Sequence, residues 1–281
     1  MNKLSQERRI QVVKALVEVN SINGTVRMTG VAKNTILKLL AVLGSACLDY
    51  QQNALQNLNL RYIECDEIWE FCYAKEKNVP AEHKGEFGYG DVWTWTAIDA
   101  DTKLVPCWHV GSRDGENAWE FIANLRSRLA NRVQLTTDGH KAYLEAVEGV
   151  FGAEVDYAML IKVYGHPTTE GQRRYSPPEC ITTEKNTVQG DPDTSRISTS
   201  YVERQNLTMR MSMQRFTRLT NAFSKKIENH MHAISLHFMW YNFARPHKTL
   251  GKPYPTTPSM AAGVSDHIWT AEEIIGLLDS N

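Results

Sequence analysis

The feature that most constrains this 281-residue chain is a change in the period of its apolar residues near residue 60. Before that point Ile10, Val13, Leu16 and Val17 recur at three- and four-residue spacing, which is the stripe of an amphipathic helix. After it the pattern falls to two. In the run 61–66, Tyr62, Glu64 and Asp66 share one face and Ile63 and Cys65 the other, as a strand requires. A chain that switches period in this way needs two kinds of layer, helices first and a helix-covered sheet after them.

The second part spells out an order. Residues 91–99 are dense in Val, Trp, Thr and Ile, residues 99–102 read as a turn, and 104–110 form a second apolar run, so together they predict a hairpin. A helix is expected over 117–130, carrying Trp119, Ile122, Leu125, Arg126 and Leu129. A strand over 132–137 follows, then a helix over 141–150 and a strand over 155–163. Strand, strand, strand, helix, strand, helix, strand, helix is the order of a ribonuclease H-like α/β fold with a mixed five-stranded sheet and flanking helices. In that fold the first and fourth strands are neighbours, which would bring Asp66 beside Asp138 across 72 residues of sequence. Asp66 is expected at the end of its strand, and Gly139 suits a turn just beyond Asp138. The segment 166–197, rich in Pro, Gly, Ser, Thr and charge, reads as a long inserted loop. A helix beginning near Ser198–Ser200 then carries Glu203.

Two strand-borne aspartates and one helix-borne glutamate are what phosphodiester chemistry by paired divalent ions needs, with carboxylates converging on metals about 3.5–4 Å apart. Oxygen donors favour Mg²⁺ or Mn²⁺ over zinc. Asp66, Asp138 and Glu203 are therefore the candidate catalytic residues and metal ligands, with Glu179 and Glu184 as alternatives for the third position. Glu67, Asp99 and His140 lie nearby without a primary role. The helix of Glu203 presents Asn206, Leu207, Arg210 and Gln214 on one broad face and Arg204, Met211, Arg215 and Arg218 on the neighbouring one, which suits a helix laid along a phosphate backbone.

The net charge of −1 conceals an asymmetry. Residues 1–60 carry seven basic and three acidic side chains, 61–200 fifteen and twenty-three, 201–252 nine and two, and 253–281 none and four. Two basic segments flank an acidic middle, so double-stranded DNA is the expected partner. In the first basic segment, helices over 9–19, 21–27 and 32–43, with a turn at Thr29-Gly30, have the length and punctuation of a helix-turn-helix unit. Lys33, Asn34, Thr35 and Lys38 would face DNA from the start of its third helix. The organisation expected is a helix-turn-helix domain over 1–50, a linker over 51–60, a catalytic domain over 61–250 and a tail over 251–281.

Other classes fit poorly. No apolar run approaches the roughly 20 residues of a membrane span. No secretory pattern opens the chain, so a cytoplasmic location is expected. Five scattered cysteines without a CxxC pair read as reduced thiols. No glycine-rich phosphate loop appears, so no nucleotide cofactor is expected. His230 and His232 point to different helix faces, so His230, His232 and His237 read as structural or surface residues.

The stretch Tyr201-Val202-Glu203-Arg204-Gln205-Asn206-Leu207-Thr208-Met209-Arg210, followed by Phe223-Ser224-Lys225-Lys226-Ile227-Glu228-Asn229-His230, resembles the carboxy-terminal part of bacterial insertion-sequence transposases of the IS1 family. The Asp66 and Asp138 motifs resemble the first two acidic positions of their DDE catalytic domain, and the resemblance spans roughly 60–250. It implies that Asp66, Asp138 and Glu203 hold the catalytic metals, that element ends are cut and joined to target DNA, and that at least a dimer assembles on DNA. The chain departs from the family in lacking the zinc-binding amino terminus that members often carry and in the longer interval before Glu203. A ribonuclease H-like nuclease without joining activity and a DNA-binding transposase relic are the competing readings.

Overall fold

The structure, a computed structural model, describes residues 4–165, 180–217 and 221–279. Residues 6–54 form three helices: α1 (Gln6–Val17), α2 (Ile22–Thr29) and α3 (Lys33–Ala54). The hydroxyls of Ser5 and Ser21 accept from the backbone of Arg8 and Gly24, capping α1 and α2. Gly30, at φ +66°, ends α2 in the left-handed conformation that glycine adopts without penalty. The chain bends by 114° between α2 and α3.

After them come β1 (Tyr62–Cys72), β2 (Gly90–Asp99), β3 (Trp108–Gly111), α4 (Gly115–Arg128), β4 (Val133–Thr137), α5 (Ala142–Phe151), β5 (Val155–Tyr164) and β6 (Cys180–Gln189). The chain closes with α6 (Ser200–Ser212), α7 (Ile227–Met239), α8 (Pro258–Ala261) and α9 (Ala271–Gly276). Among the described residues the sheet order is β3-β2-β1-β4-β5-β6. The first three strands run antiparallel, β1, β4 and β5 run parallel, and β6 returns antiparallel to β5. This is a mixed α/β architecture compatible with the ribonuclease H-like order.

The structure corrects the sequence in three places. The sheet has six strands rather than five, because 180–189, expected as loop, pairs with β5 from Tyr157 to Tyr164. Its side chains are almost all exposed, so no apolar alternation marks it; backbone pairing makes the strand. Residues 166–179, including Glu179, lie outside the described residues. Second, β1 does not end at Asp66 but continues to Cys72, paired with β2 down to Cys72↔Gly90. Third, α3 runs on through residue 54, so the start of the expected linker is helical, with Gln51 buried.

Side-chain alternation on β1 separates two cores. Ile63 and Cys65 face α4 and α5, packing with Phe121, Ile122, Leu125 and Tyr143. Ile68 and Cys72 face α6 and α7, packing with Val202, Met209 and Phe238. The helical amino terminus shares the first core through Val13, Leu40, Leu43 and Cys47. A close approach is at Gly44, where a Cβ would lie 2.6 Å from His232 Cβ and 2.7 Å from that residue's backbone. Ser235 Oγ donates to Gly44 O at 2.7 Å across the same contact. The segment 251–281 also joins this core, through Ala271, Ile274 and Ile275.

Trp95 of β2 is fully buried, whereas Trp119 of α4 is exposed and lies over Gly149 of α5. The Asp99 turn forms as the sequence suggests: its carboxylate accepts from Arg61 N, Tyr62 N, Thr102 N and Thr102 Oγ1. That carboxylate is thereby committed to structure. Among the described residues no single helix is long and apolar enough to cross a membrane, and all five cysteines are free thiols. His230 is a core residue bonded to Ser224.

Candidate metal centre

Parallel pairing of β1 with β4 ends at Cys65↔Thr137. The next residue on each strand is an aspartate, so Asp66 and Asp138 meet just where the ladder opens. Glu67 joins them, and oxygens of the three carboxylates all lie within 4.8 Å of one another. Such a cluster of hard oxygen donors can hold a divalent ion.

Its electrostatics point the same way. Asp66 Oδ1 accepts from Glu67 N at 2.8 Å and Oδ2 accepts from Asn206 Nδ2 at 2.8 Å. Burial, and then the negative charge of Glu67 and Asp138, push the Asp66 carboxyl up to about 7. Burial and Asp138 also raise Glu67, whose Oε2 is held by Arg113 Nε at 3.1 Å. The same guanidinium reaches Asp138 Oδ2 at 3.7 Å and stacks over Trp93. Glu67 Oε1 is buried without a well-formed hydrogen bond, an acceptor that a cation would satisfy. Asp138 Oδ1 accepts from His140 N, which fixes the carboxylate in a tight turn.

Glu203 stands across the same cleft, which Asp66, Asp138, Arg113, Lys162, Thr199 and Glu203 line together. It is not part of the three-carboxylate cluster. Its Oε1 accepts from Thr199 Oγ1 at 2.6 Å and forms an ion pair with Lys162 of β5. Of the alternatives, Glu184 is exposed on β6, opposite Ile161.

The helix that carries Glu203 is anchored to the strand that carries Asp66. Glu64, two residues before Asp66 on the same face, is buried, and its Oε2 accepts from Tyr201 N at 2.7 Å and Val202 N at 3.0 Å. A carboxylate at a helix amino terminus satisfies donors that have no partner within the helix. Burial nevertheless pushes the Glu64 carboxyl up to about 7, outweighing those two bonds. One turn after Glu203, Asn206 makes the second tie between α6 and Asp66.

Sequence reasoning assigned no role to Glu64, Arg113 or Lys162, gave Glu67 no primary one, and placed Asn206 on a helix face read as lying along DNA. Strand periodicity sends Glu67 to the face opposite Asp66, and only the opening of the β1–β4 ladder lets both carboxylates reach one point. For Glu64 the available signal was its shared face with Asp66.

The candidate DNA-contacting side chains fall into two groups. Lys33, Asn34 and Lys38 are exposed at the start of α3, Thr35 is half-buried beside them, and Arg204 is exposed on α6. Arg210 and Arg215 are half-buried and turned to the protein, donating to Phe216 O at 3.2 Å and Ser224 Oγ at 2.8 Å. Burial holds the Arg215 guanidinium down at about 10. Arg218 lies outside the described residues.

No protein-family model and no curated protein matches this sequence. One solved structure that it resembles is the cryo-EM structure of a piggyBac transposase synaptic complex with hairpin DNA. That likeness covers 100% of this chain and 73% of the other, at 11% identity and a TM-score of 0.39, too slight to carry an argument.

Proposed function

We propose that this chain is a metal-dependent DNA transposase of the IS1-like DDE type, cutting the ends of an insertion sequence and joining them to target DNA. The observation that carries the reading is the convergence of Asp66, Glu67 and Asp138 at the open end of a parallel strand pair, with Glu203 facing them across one cleft. Asp66, Asp138 and Glu203 are the proposed ligands of Mg²⁺ or Mn²⁺, and Glu67 is a further donor. Bound divalent ions supply Lewis acidity and an activated water or 3′-hydroxyl for in-line attack on a phosphodiester.

The chain's own residues prepare that chemistry. Glu64 and Asn206 hold α6 against β1, which keeps Glu203 on the cleft. Arg113 balances the charge of Glu67 and Asp138, and Lys162 that of Glu203. Strand transfer exchanges one phosphodiester for another, so no nucleotide cofactor enters. Residues 1–50 serve as the helix-turn-helix DNA-binding unit, with Lys33, Asn34, Thr35 and Lys38 towards the duplex and Arg204 along the backbone near the cleft. Arg210 and Arg215 would have to leave their present partners to take part. Two element ends must be brought together, which calls for at least a dimer on DNA.

The test is an assay with purified protein, Mg²⁺ and a labelled duplex carrying the sequence that flanks the gene. Wild type is expected to yield cleaved and joined products, and Asp66→Asn and Glu203→Gln to bind the duplex without yielding either. Cleavage without joining would establish a nuclease instead, and three identical profiles would leave a DNA-binding protein.

A further inference from the structure

A second cavity lies at the other end of α6, about nine residues from Glu203, or roughly 13 Å at the helical rise of about 1.5 Å per residue. It has a volume of ≈ 350 Å³, which falls in the size range of small-molecule sites, and opens between the amino-terminal helices, α7 and residues 221–226. Its floor is apolar, formed by Leu16, Leu37, Leu40 and Leu236. Among the described residues four cationic side chains border it, Lys33, Arg215, Lys225 and Lys226, and no Asp or Glu lines it. Among the described residues none of those four is in an ion pair with a carboxylate. His237 also lines the cavity; it is buried, and its Nε2 has no hydrogen-bond partner.

An apolar floor, a purely cationic rim and one neutral, unpartnered imidazole nitrogen suit a ligand with a flat, largely apolar body, polar edges and a negative tail. We infer that this cavity takes an unstacked nucleotide of the DNA strand. The base sits against Leu37 and Leu40 with an edge towards His237, and the flanking phosphates lie on Lys33, Lys225 and Lys226. The placement rests on the DNA-processing reading above, since α6 links the cavity to the cleft and Lys33 opens the proposed recognition helix. It adds a strand-distorting site that neither the carboxylates nor the helix-turn-helix unit requires.

The experiment measures binding of a fluorescein-labelled (dT)12 single strand and of a 12-base-pair duplex to the full-length protein by anisotropy, across a salt series. Leu37→Trp fills the cavity without changing charge, and the Lys225→Ala/Lys226→Ala pair removes exposed rim cations. Leu37→Trp is expected to weaken (dT)12 about tenfold, the scale of losing one stacked base, while duplex affinity changes less than twofold. The double alanine variant is expected to lower the (dT)12 salt slope by about 1.4, or about 0.7 for each phosphate contact. Equal (dT)12 affinity in wild type and both variants overturns the inference, as does displacement of (dT)12 by micromolar dTMP, which would mark a free-nucleotide site. If Leu37→Trp does not fold, by circular dichroism, the lysine pair decides alone. Failure here is separable from failure of the functional reading, because Asp66 does not line the cavity and loss of cleavage in Asp66→Asn is read independently of (dT)12 affinity.

Discussion

Replacing Asp66 by Asn should make the metal-free protein more stable at pH 8 while abolishing its response to Mg²⁺ or Mn²⁺. The Asp66 carboxyl is raised from 3.8 to about 7 in the fold, chiefly by burial and then by Glu67 and Asp138. A raised folded value means that the stabilising contribution is fully present below the unfolded value, near pH 4, and is lost as pH climbs through about 7. At pH 8 the ionised side chain is therefore a cost. A rise of that size corresponds to about 4 kcal/mol, at about 1.36 kcal/mol for each tenfold change in proton affinity. Because Glu67 is raised together with Asp66, the pair shares that rise, and roughly half of it, about 2 kcal/mol, belongs to this residue. The Asn side chain keeps the acceptor for Glu67 N, and Asn206 can turn its amide so that its unpartnered Oδ1 meets the new NH₂ group. For a chain of this size about 2 kcal/mol corresponds to roughly 4–6 °C. Thermal scans in EDTA at pH 5 and pH 8 are the assay, repeated with 5–10 mM Mg²⁺ as an order-of-magnitude loading condition. Wild type should lose stability between the two pH values and regain it with the ion; Asp66→Asn should do neither to the same extent. A lower Tm for the variant at pH 8 in EDTA, or equal ion responses in the two proteins, would refute the assignment of Asp66 to a crowded metal-binding cluster.

Three further outcomes follow from named contacts. Glu64→Ala strips the acceptor from two backbone N–H groups of α6 and should cost about 1.5–3 kcal/mol in urea unfolding, with Glu64→Gln recovering part of it; full stability in the alanine variant would show that the anchor is dispensable. Gly44→Ala drives a methyl into the His232 backbone and should destabilise by about 1–3 kcal/mol, because α3 and α7 cannot separate without breaking the Ser235 bond. Lys162→Met frees Glu203 from its counter-ion, so the Mn²⁺ concentration for half-maximal cleavage should fall by roughly threefold, the scale of an exposed pair. A rise in that concentration would mean that Lys162 helps to hold the substrate rather than competing with the ion.

How much of this molecule could be read from its residues depended on whether periodicity reported burial. Where it did, the strands were legible: Ile63 and Cys65 turn to one core, and the facing of Tyr62, Glu64 and Asp66 follows from the same alternation. β6 was illegible for the opposite reason. Its side chains are exposed on both faces, so no apolar alternation in Cys180–Gln189 marks a strand, and pairing along the edge of β5 sets its place. Asp66 was expected at a strand end because it closes the alternating run 61–66. In the structure β1 persists through them, since Ile68 and Cys72 still have a core to enter beyond the acids.

The site shows the same division. The meeting of Asp66 with Asp138 was implied by strand order, a long-range property carried by topology. Glu67, Arg113 and Lys162 were not implied, because their roles depend on where a ladder stops and which charges face a cleft, and neither leaves a period in the sequence. This difference has a consequence for the third carboxylate. Sequence order selects Glu203, while proximity selects Glu67, and the two stand on different supports: Glu67 is fixed by β1 itself, whereas Glu203 rides on a helix held to β1 by Glu64 and Asn206. A cation bound first by Asp66, Glu67 and Asp138 would leave Glu203 as the adjustable member, released from Lys162 only when a second positive charge or a DNA phosphate enters the cleft. Loss of Glu67 should therefore weaken ion binding in the absence of DNA, and loss of Glu203 should be felt chiefly in its presence.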